Sequence, residues 1–370
     1  MKNKIKVLQV GAENFGRGGR SVIAYNLAMS MDPQKIENDF LSLNSYEDSK
    51  FVRQINRNGN VLFVNRKGEK FKYSYLVNEV KKRKYDIAHI HADNAYEALK
   101  MALLMRAAKI NKIIIHAHND NVQYSRMKNQ IIKVCKIILP IIATEKLACT
   151  QAAGTFMFGK KTQFTILKDG IDVRAYTFNK AIRTKIRKEF NWNRDIIIGT
   201  VARLAPQKNL FFLLKVFKNI NIKNKKLVIV GSGNELQALR NISKNLNISE
   251  KVFFLGNRDN VNELLQGFDI FILPSIYEGF GMAAIEAQAS GLPTIVSDKV
   301  PIDTQMVSRL YYRKNLSAGI DEWARLVEKI STTIDEQRQD TSDVLIDKGY
   351  DISESAKQLE KIYMKEKLGE

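Results

Sequence analysis

Residues 270–297 read IFILPSIYEGFGMAAIEAQASGLPTIVS, and this stretch decides the fold. The uninterrupted apolar run Ile270–Leu273 is typical of a strand that is buried on both faces of a parallel sheet. The helical segment Met282–Ser290 is ended by a glycine and a proline, and the apolar run Thr294–Ser297 follows it. The order strand, helix, strand predicts a parallel βαβ unit.

The same alternation continues in both directions along the chain. The other predicted strands are Ile5–Val10, Asp39–Leu43, Val61–Val64, Ile87–His91, Lys112–Ala117, Lys146–Cys149, Gln163–Leu167, Ile196–Val201, Leu227–Val230 and Val252–Leu255. The other predicted helices are Arg20–Met31, Phe51–Asn58, Tyr73–Lys84, Ala95–Ala108, Arg126–Ile138, Gln151–Phe158, Asn209–Asn219, Glu235–Leu246, Val261–Leu265 and an amphipathic helix over 352–367. This order predicts two doubly wound, Rossmann-like α/β domains, with ligands beyond the carboxyl ends of the strands in a cleft that the domains face.

The boundary between the two domains is expected at the turn-forming sequence Asp169-Gly170-Ile171-Asp172. A charged stretch without a strand follows it and runs to Asp195. We therefore predict a first domain over residues 1–170 and a second over residues 171–351.

The composition excludes several classes of protein. The chain has 370 residues, of which 45% are hydrophobic, so it is not intrinsically disordered. Two cysteines, Cys135 and Cys149, exclude a disulfide scaffold and are typical of a reducing compartment. No apolar run is long enough to cross a membrane. We expect a cytoplasmic protein, either free or peripheral on the inner face of the cell membrane.

The net charge of +20 is unevenly distributed. Residues 1–170 contain 29 Lys and Arg against 14 Asp and Glu, so their net charge is +15, which leaves +5 for the rest of the chain. Such a field favours an anionic partner: nucleic acid, an acidic membrane or a phosphorylated substrate. The alternative is that Lys-rich and Asn-rich composition reflects an AT-rich genome.

Glycines and cations follow several of the predicted strands. Gly16-Arg17-Gly18-Gly19 opens a helix after the first strand, and its spacing is neither that of a dinucleotide fingerprint nor that of a Walker loop. An anion site and an ordinary glycine turn both explain it. Arg203 and Lys208 follow a strand of the second domain, where two cations can neutralise a pyrophosphate without a metal. A further glycine turn begins at Gly231.

Two glutamates lie at the start of the helix quoted first. Glu278 precedes it and Glu286 lies about one turn inside, so both could bind the hydroxyls of one sugar or ribose ligand. The alternative is that Glu286 belongs to an internal hydrogen-bond network, which would leave the nearby cations and glycines unexplained.

The four histidines form two pairs at the ends of two strands, in IAHIHADN (87–94) and IIIHAHNDN (113–121). Alternation along a strand puts both members of a pair on one face. We expect them at the rim of a cleft, where an imidazole can carry a proton or donate a hydrogen bond. A structural role is the alternative, and no compact spacing for zinc ligands occurs.

Taken together, these motifs resemble the retaining glycosyltransferases of family four (group 1), which have the GT-B fold. The motifs that carry the resemblance are the glycine loop at 16–19, HAHN at 116–119, DGID at 169–172, R-L-x-x-x-K-N at 203–209, V-G-x-G at 230–233, E-G-F-G-(x)4-E at 278–286 and the closing helix. In detail they are similar to bacterial enzymes of capsular polysaccharide and exopolysaccharide synthesis. The family linker is usually Pro-Asn-Gly, where this chain has Lys168-Asp169-Gly170.

The resemblance implies a role for each candidate residue. Arg203 and Lys208 would hold the diphosphate of a nucleotide-sugar, in the first instance a UDP-sugar. Glu286 would bind the ribose and Glu278 the transferred sugar. His118, rather than His116, would lie by the anomeric centre. The other residues expected to contact the donor are Gly18, Gly19, Gly231, Gly279, Phe280 and Gly281.

The resemblance also implies which reaction is catalysed and which domain binds each substrate. The first domain would bind the acceptor, with the C-terminal segment 352–370 packing back on it, and the second would bind the donor. Transfer of a hexose would retain the anomeric configuration, by front-face attack with the departing phosphate as base. The sequence has no Asp-x-Asp, so we expect no metal and no cofactor, with cations in place of a divalent ion.

Two basic helices, at Phe71–Lys84 and Arg126–Ile142, favour an anionic membrane surface as a further partner. A lipid-linked acceptor, a saccharide on undecaprenyl diphosphate, would explain the charge of the first half. The equal alternative is that the apolar residues of both helices face the core while the lysines are solvated.

Other functions stay open at this point. One is another GT-B enzyme that acts on nucleotide-sugars, an epimerase or a synthase. A second is a basic, non-enzymatic protein that binds anions or nucleic acid, although no array of aromatic and basic residues supports nucleic acid as a partner. A dehydrogenase would need the dinucleotide fingerprint that the chain lacks.

Overall fold

The computed structural model describes residues 4–13, 19–44, 50–65, 71–119, 125–192, 194–333 and 338–365. The chain divides into two compact units. Unit 1 comprises Met1–Ile171 and Gly349–Glu370, and unit 2 comprises Asp172–Lys348. The chain leaves unit 1 one residue after the boundary set from the sequence and returns to it three residues before the second one.

Unit 1 is built around a parallel sheet that has seven strands in the described part of the chain. The strands are β1 (Ile5–Val10), β2 (Ile36–Ser42), β3 (Val61–Phe63), β4 (Ile87–Ala92), β5 (Lys112–Ala117), β6 (Glu145–Ala148) and β7 (Thr165–Ile166). The helices between them are α1 (Gly19–Met29), α2 (Lys50–Ile55), α3 (Tyr73–Arg83), α4 (Ala95–Ala107), α5 (Arg126–Ile142) and α6 (Gln151–Phe158). The spatial order is β3-β2-β1-β4-β5-β6-β7, so the direction of winding reverses between β1 and β4.

Unit 2 repeats the plan with six parallel strands among its described residues. The strands are β8 (Ile196–Val201), β9 (Lys225–Val230), β10 (Val252–Gly256), β11 (Ile270–Leu273), β12 (Thr294–Ser297) and β13 (Tyr311–Lys314). The helices are α7 (Val173–Tyr176), α8 (Lys180–Glu189), α9 (Leu210–Asn219), α10 (Leu236–Asn245), α11 (Val261–Gly267), α12 (Met282–Ala289), α13 (Ile320–Ser331) and α14 (Ser342–Asp347). The order β10-β9-β8-β11-β12-β13 reverses between β8 and β11.

The central strands are buried on both faces. Every residue of β5 and of β11 is buried, as a continuous apolar run between two helix layers requires. Each unit has its own hydrophobic clusters: Leu8, Ile90 and Ile115 lie in one of unit 1, and Ile198, Leu227 and Ile272 in one of unit 2. The apolar runs of the sequence are therefore the cores of two separate sheets.

The last helix, α15 (Ile352–Met364), belongs to unit 1 and packs against α1. The buried Lys112 at the start of β5 donates through Nζ to the carbonyl oxygens of Ile362 (3.0 Å) and Tyr363 (3.4 Å). A cation at a helix C-terminus stabilises carbonyls that have no partner within the helix. This contact places the Tyr363 side chain beneath the sheet, where its hydroxyl lies 2.6 Å from Nδ1 of His89.

Several elements differ from the sequence prediction. The strand β13 was missed because its sequence, YYRK, is half charged, which is typical of an edge strand. The charged stretch before Asp195 contains no strand but does contain α8, whose Arg183 and Arg187 are bound by the buried Asp269 at 2.5 and 3.0 Å. Helices α13 and α14 were also missed.

Over the described ranges, none of the helices has the length and apolar character needed to cross a bilayer.

Candidate functional site

In both units the candidate residues lie near the point where strand order reverses. In unit 2, loops that follow β8 and β11 carry Lys208 and Glu278. In unit 1, His91 is on β4 and its partner Gln9 is on the neighbouring β1. Open α/β sheets bind ligands at this position, because the loops after the two strands diverge there.

Lys208 and Glu278 form an ion pair in which the ammonium group contacts both carboxylate oxygens. Lys208 Nζ lies 2.6 Å from Oε1 and 2.7 Å from Oε2 of Glu278, and Ser275 Oγ donates to Oε1 at 2.5 Å. Glu278 is 8% exposed, and its carboxylate accepts three hydrogen bonds from these two side chains. The predicted phosphate-binding cation and the predicted sugar-binding carboxylate are therefore direct neighbours.

Backbone contacts hold these two loops together. Ile276 N donates to Gln207 O at 2.8 Å, and Gln207 Nε2 donates to Tyr277 O at 3.0 Å. Ser297 Oγ at the end of β12 donates to Ser275 O at 2.5 Å. The site is thus supported from β12 as well as from the loops after β8 and β11. Arg203 lies in the loop after β8, is exposed and, over the described ranges, forms no ion pair.

Glu286 has a different partner from Glu278. Its carboxylate lies inside unit 2 and accepts a hydrogen bond from the hydroxyl of Tyr176, at the end of α7. Burial raises the pKa of Glu286 from 4.5 to about 7, and the Tyr176 hydroxyl partly opposes that rise. Glu286 therefore has one hydrogen-bond partner inside unit 2, as the alternative of an internal network predicts. Its side chain is nevertheless partly exposed to solvent.

Gly231 has a packing reason to be glycine. Its φ is +128°, and a Cβ there would lie 2.0 Å from the Ala202 carbonyl oxygen. The loops after β8 and β9 run side by side at this point, because Leu204 N donates to Ser232 O at 2.8 Å. Close approach of two backbones explains this glycine without a ligand.

The glycines of the E-G-F-G motif lie at the start of α12. Gly281 precedes the helix with a φ of +96°, Phe280 is buried and Gly279 is partly buried. The first N–H groups of a helix have no partner within the helix, so those of α12 can bind an anion.

The glycine loop of unit 1 falls partly outside the described residues, and Gly18 is among those left out. Gly19 is the first residue of α1, and a Cβ there would meet nothing within 4 Å. Packing against the described residues of unit 1 therefore does not require glycine at position 19, in contrast to position 231.

The sequence predicted that the histidines lie at the rim of a cleft, but the structure buries them. His89, His91 and His116 are at most 2% exposed and His118 is 8% exposed. His91 and His116 are register partners on β4 and β5, and the rings of all four residues stack along one face of the sheet. Burial lowers the pKa of His89 to about 3 and holds the pKa of His91 and of His116 well below 6.5. The structural alternative therefore accounts for three of the four.

His118 is joined to a buried line of polar groups, which we call the histidine chain. Its members, in order of contact, are Ala28, Asn38, Gln9, His91, His118 and Asp169. The Nδ1 atom of His91 lies 2.9 Å from Nε2 of His118, and Nδ1 of His118 lies 3.4 Å from Oδ2 of Asp169. Both ring nitrogens of the candidate catalytic histidine are thus engaged inside unit 1.

Two groups of side chains in this region lie close enough together to be considered for a metal ion: His89, His91, His116; and His116, His118, Asp169. In each group one imidazole already uses both ring nitrogens in hydrogen bonds, His91 in the first and His118 in the second. A metal ion in either group would have to replace one of these hydrogen bonds, whereas His116, which both groups share, has no hydrogen-bond partner at either ring nitrogen among the described residues.

Sequence reasoning did not identify most of the partner residues in these networks. Asp169 was read only as part of a turn, and Ser275, Tyr176 and Gln9 carried no motif. Asp169 alone had a signal, because the resembling family has asparagine at the corresponding position of its linker.

Comparison with known proteins supports one family. Residues 182–352 match the family model described as "Glycosyl transferases group 1". The Bacillus subtilis (strain 168) protein EpsF, named as a glycosyltransferase, is 28% identical over 371 residues that cover 97% of this chain and 96% of that protein.

Another relative is named for its reaction. The Escherichia coli enzyme called UDP-Gal:alpha-D-GlcNAc-diphosphoundecaprenol alpha-1,3-galactosyltransferase is 28% identical over 240 residues, which are 60% of each protein. Among solved structures, Anabaena Alr3699/HepE in complex with UDP and glucose has a TM-score of 0.76 at 16% identity, covering 96% of this chain and 98% of that one. The structural likeness shows the fold, and that fold is the two-domain GT-B arrangement predicted from the motifs.

Proposed function

On the match of residues 182–352 to the group 1 glycosyltransferases, we propose that the chain is an enzyme of this family that moves a hexose from a UDP-sugar to a lipid-linked saccharide in bacterial surface polysaccharide synthesis. Unit 2 binds the donor and unit 1 the acceptor. The acceptor is a saccharide on undecaprenyl diphosphate. The name of the Escherichia coli galactosyltransferase, which includes UDP-Gal and diphosphoundecaprenol, supports the UDP-sugar donor and the lipid carrier.

The observation that carries the proposal is the cluster of Lys208, Glu278 and Ser275 where strand order reverses in unit 2. An ammonium group suits phosphate oxygens, and a carboxylate suits sugar hydroxyls. Because the two groups are in direct contact, a donor whose diphosphate meets Lys208 places its sugar next to Glu278. In a nucleotide-sugar, the diphosphate is covalently bonded to the sugar, so one ligand supplies both groups.

The other donor contacts follow from the same placement. Arg203 is exposed in the loop that leads to Lys208 and adds a second cation for the diphosphate. The N–H groups at the start of α12, after Gly279, Phe280 and Gly281, stabilise negative charge on the leaving group. Glu286 accepts hydrogen bonds from the ribose hydroxyls.

We infer that the reaction retains the anomeric configuration and uses no metal. The cations stabilise the diphosphate as it leaves with the bonding electrons of the anomeric carbon. The departing phosphate takes the proton of the attacking hydroxyl on the same face of the sugar. The family resemblance assigns His118 to the anomeric centre and Gly18 and Gly19 to the donor phosphate, and we retain these roles as part of the proposal.

The surface of α5 supports a membrane-bound acceptor. Six apolar side chains of this helix are exposed, between 39% and 80%: Met127, Ile131, Val134, Ile137, Ile138 and Ile141. The neighbouring Lys133 is also exposed. For these residues the reading that apolar side chains face the core does not hold. In α3 it does, since Leu76 and Val80 are buried while its lysines are exposed.

The proposal is tested by transfer assays with a panel of nucleotide-sugars and an undecaprenyl-diphosphate-linked acceptor, with the product identified by mass and anomeric configuration. Lys208→Ala and Glu286→Ala are each expected to abolish transfer, by at least about 100-fold, because each removes a donor contact. Circular dichroism checks that both variants are folded.

The matched control is Lys244→Ala, which removes an exposed lysine from α10 in the same unit. This variant is expected to keep full activity. Near-wild-type turnover in both Lys208→Ala and Glu286→Ala would refute the site, and a product of inverted configuration would refute the retaining mechanism.

A further inference from the structure

The direction of each hydrogen bond in the histidine chain can be worked out from one end. Asn38 Nδ2 lies 3.3 Å from the carbonyl oxygen of Ala28, which can only accept. The amide of Asn38 is therefore oriented with Nδ2 as donor, and its Oδ1 accepts from Gln9 Nε2 at 2.8 Å. The backbone thus determines the orientation of two buried amides.

The orientation of Gln9 determines the tautomer of His91. With Nε2 of Gln9 committed to Asn38, its Oε1 faces His91 Nε2 at 2.9 Å and can only accept. His91 must therefore carry a proton on Nε2. Burial lowers the pKa of His91 well below 6.5, so the ring is neutral and its Nδ1 is an acceptor.

The contact between His91 and His118 determines which nitrogen of His118 carries a proton. Since His91 Nδ1 accepts, His118 Nε2 at 2.9 Å must be the donor. A neutral His118 would then present the lone pair of Nδ1 to the carboxylate of Asp169, 3.4 Å away. Two acceptors cannot hydrogen-bond to each other, so this contact requires an additional proton. An imidazole is a stronger base than a carboxylate, which puts that proton on His118.

We propose that the histidine chain holds His118 as a doubly protonated imidazolium paired with Asp169. The pair is enclosed, with side-chain exposures of 4% for His118 and 5% for Asp169. A buried charge is tolerated when a partner of opposite sign and hydrogen bonds surround it. Both conditions hold for the His118 ring, since His91 accepts from one nitrogen and Asp169 from the other, whereas Oδ1 of Asp169 is buried without a partner among the described residues.

The remaining charged and titratable neighbours leave this pairing intact. His89 on β4 and His116 on β5 are buried, and burial lowers the pKa of each, so they are neutral. Arg20 of α1, the nearby cation that acts on His91, is itself bound to Asp93 at 2.8 Å. Among the described residues that contact the His118 ring, Asp169 is the acidic one.

The consequence for catalysis rests on the proposed function. A His118 whose two nitrogens both carry protons and both have partners cannot take a proton from the acceptor. It provides instead a fixed positive charge in a medium of low dielectric constant, where such a charge acts strongly on a nearby sugar phosphate. Asp169, Gln9 and His91 are positioning residues for that charge.

The test is the protonation state of the histidines by nitrogen-15 NMR on the full chain, without substrate. The chain has four histidines, so the side-chain spectrum can be assigned with single His→Gln variants. At neutral pH we expect one imidazolium, assigned to His118, and three neutral rings, with His91 protonated on Nε2. Asp169→Asn is expected to convert His118 to a neutral ring, because the amide can donate to Nδ1.

Gln9→Leu gives a second route, should Asp169→Asn not fold. Without the acceptor at position 9, His91 can move its proton to Nδ1 and donate to His118, which then becomes neutral with its proton facing Asp169. Tyr363→Phe is the matched control: it removes a buried hydroxyl that contacts Gln9 and His89 but leaves the histidine chain unbroken, so His118 should stay charged.

Four neutral rings in the wild-type protein would overturn the proposal, and so would an imidazolium that persists in Asp169→Asn. Stoichiometric metal in the purified protein, measured by elemental analysis, would also overturn it, because a metal would replace the proton between His118 and Asp169. The NMR result does not depend on transfer: if no sugar is transferred but His118 is charged, the proposed function fails and the protonation proposal stands.

Discussion

Two glycines that look alike in the sequence have different physical origins. Gly231 is required by packing, since a Cβ would collide with the Ala202 carbonyl, whereas Gly19 faces open space at the start of α1. A motif alone does not separate these cases, because the separation depends on which backbone lies opposite. Of the two, Gly19 is the stronger candidate for contact with a phosphate.

If Glu286 binds the donor ribose as proposed, donor binding depends on pH. Its pKa of about 7 means that the carboxylate is largely protonated at pH 6 and largely ionised at pH 8. Because the ionised form accepts from both ribose hydroxyls, we expect the affinity for UDP to rise by up to about tenfold between about pH 6 and pH 8. Isothermal titration calorimetry across this range measures it.

Glu286→Gln should bind UDP more weakly and show no such rise, whereas the exposed Glu250→Gln should behave as wild type. The stability of the protein has the opposite dependence. The folded-state pKa is above the ordinary value of 4.5, so the stability due to protonated Glu286 is complete below about pH 4.5 and is lost as the pH rises through about 7. A UDP affinity that is flat from pH 6 to pH 8 in the wild-type protein would contradict this assignment.

At the scale of elements, the sequence predicts apolar central strands well and charged elements poorly. The bounds of β1, β5, β8, β11 and β12 agree with the apolar runs residue for residue. By contrast, α8 has the sequence KAIRTKIRKE, and its contribution to the core depends on Asp269, about 80 residues away. Periodicity cannot reveal a helix whose arginines pair with a buried carboxylate that is distant in the sequence.

Helix α5 is the element for which we expect membrane binding. Its apolar side chains at 127, 131, 134, 138 and 141 recur every three or four residues and are exposed, next to lysines. We expect the protein to sediment with anionic vesicles at low salt and to leave them at high salt. Ile137→Ser combined with Ile141→Ser should reduce the bound fraction at least about fivefold, given roughly 2 kcal/mol for each buried isoleucine.

Val344→Ser is the control, because Val344 is an exposed apolar residue of unit 2 that lies outside α5. It should leave vesicle binding unchanged. Equal retention on neutral vesicles would count against an electrostatic contribution, and unchanged binding of the α5 double variant would show that this helix is not the contact.

For the whole molecule, two units with separate cores are expected to unfold in two transitions. If unit 2 binds the donor, UDP at about 100 times its Kd should stabilise that unit by about 2.7 kcal/mol. For a unit of this size, that corresponds to a rise of roughly 5 to 10 °C in one transition, measured by scanning calorimetry.

Lys208→Ala should abolish this rise without removing either transition. The assignment of transitions can be made with Asp269→Ala, which leaves two partly buried arginines without their carboxylate and should lower the transition of unit 2 by several degrees. A UDP-dependent rise confined to the other transition would refute the donor site in unit 2.

The amino-acid sequence by itself determined the fold class, the number of units and the loops that carry the candidate donor residues. It could do so because buried parallel strands, helix ends and glycine turns are written in short, local patterns. The tertiary structure alone decided that Lys208 pairs with Glu278, that Tyr176 meets Glu286 and that the histidines are buried. It also joined Gln9 and Asp169 to His118. These contacts link residues from about 50 to 110 positions apart in the chain, and only the close approach of neighbouring strands and their loops brings such residues within hydrogen-bonding distance.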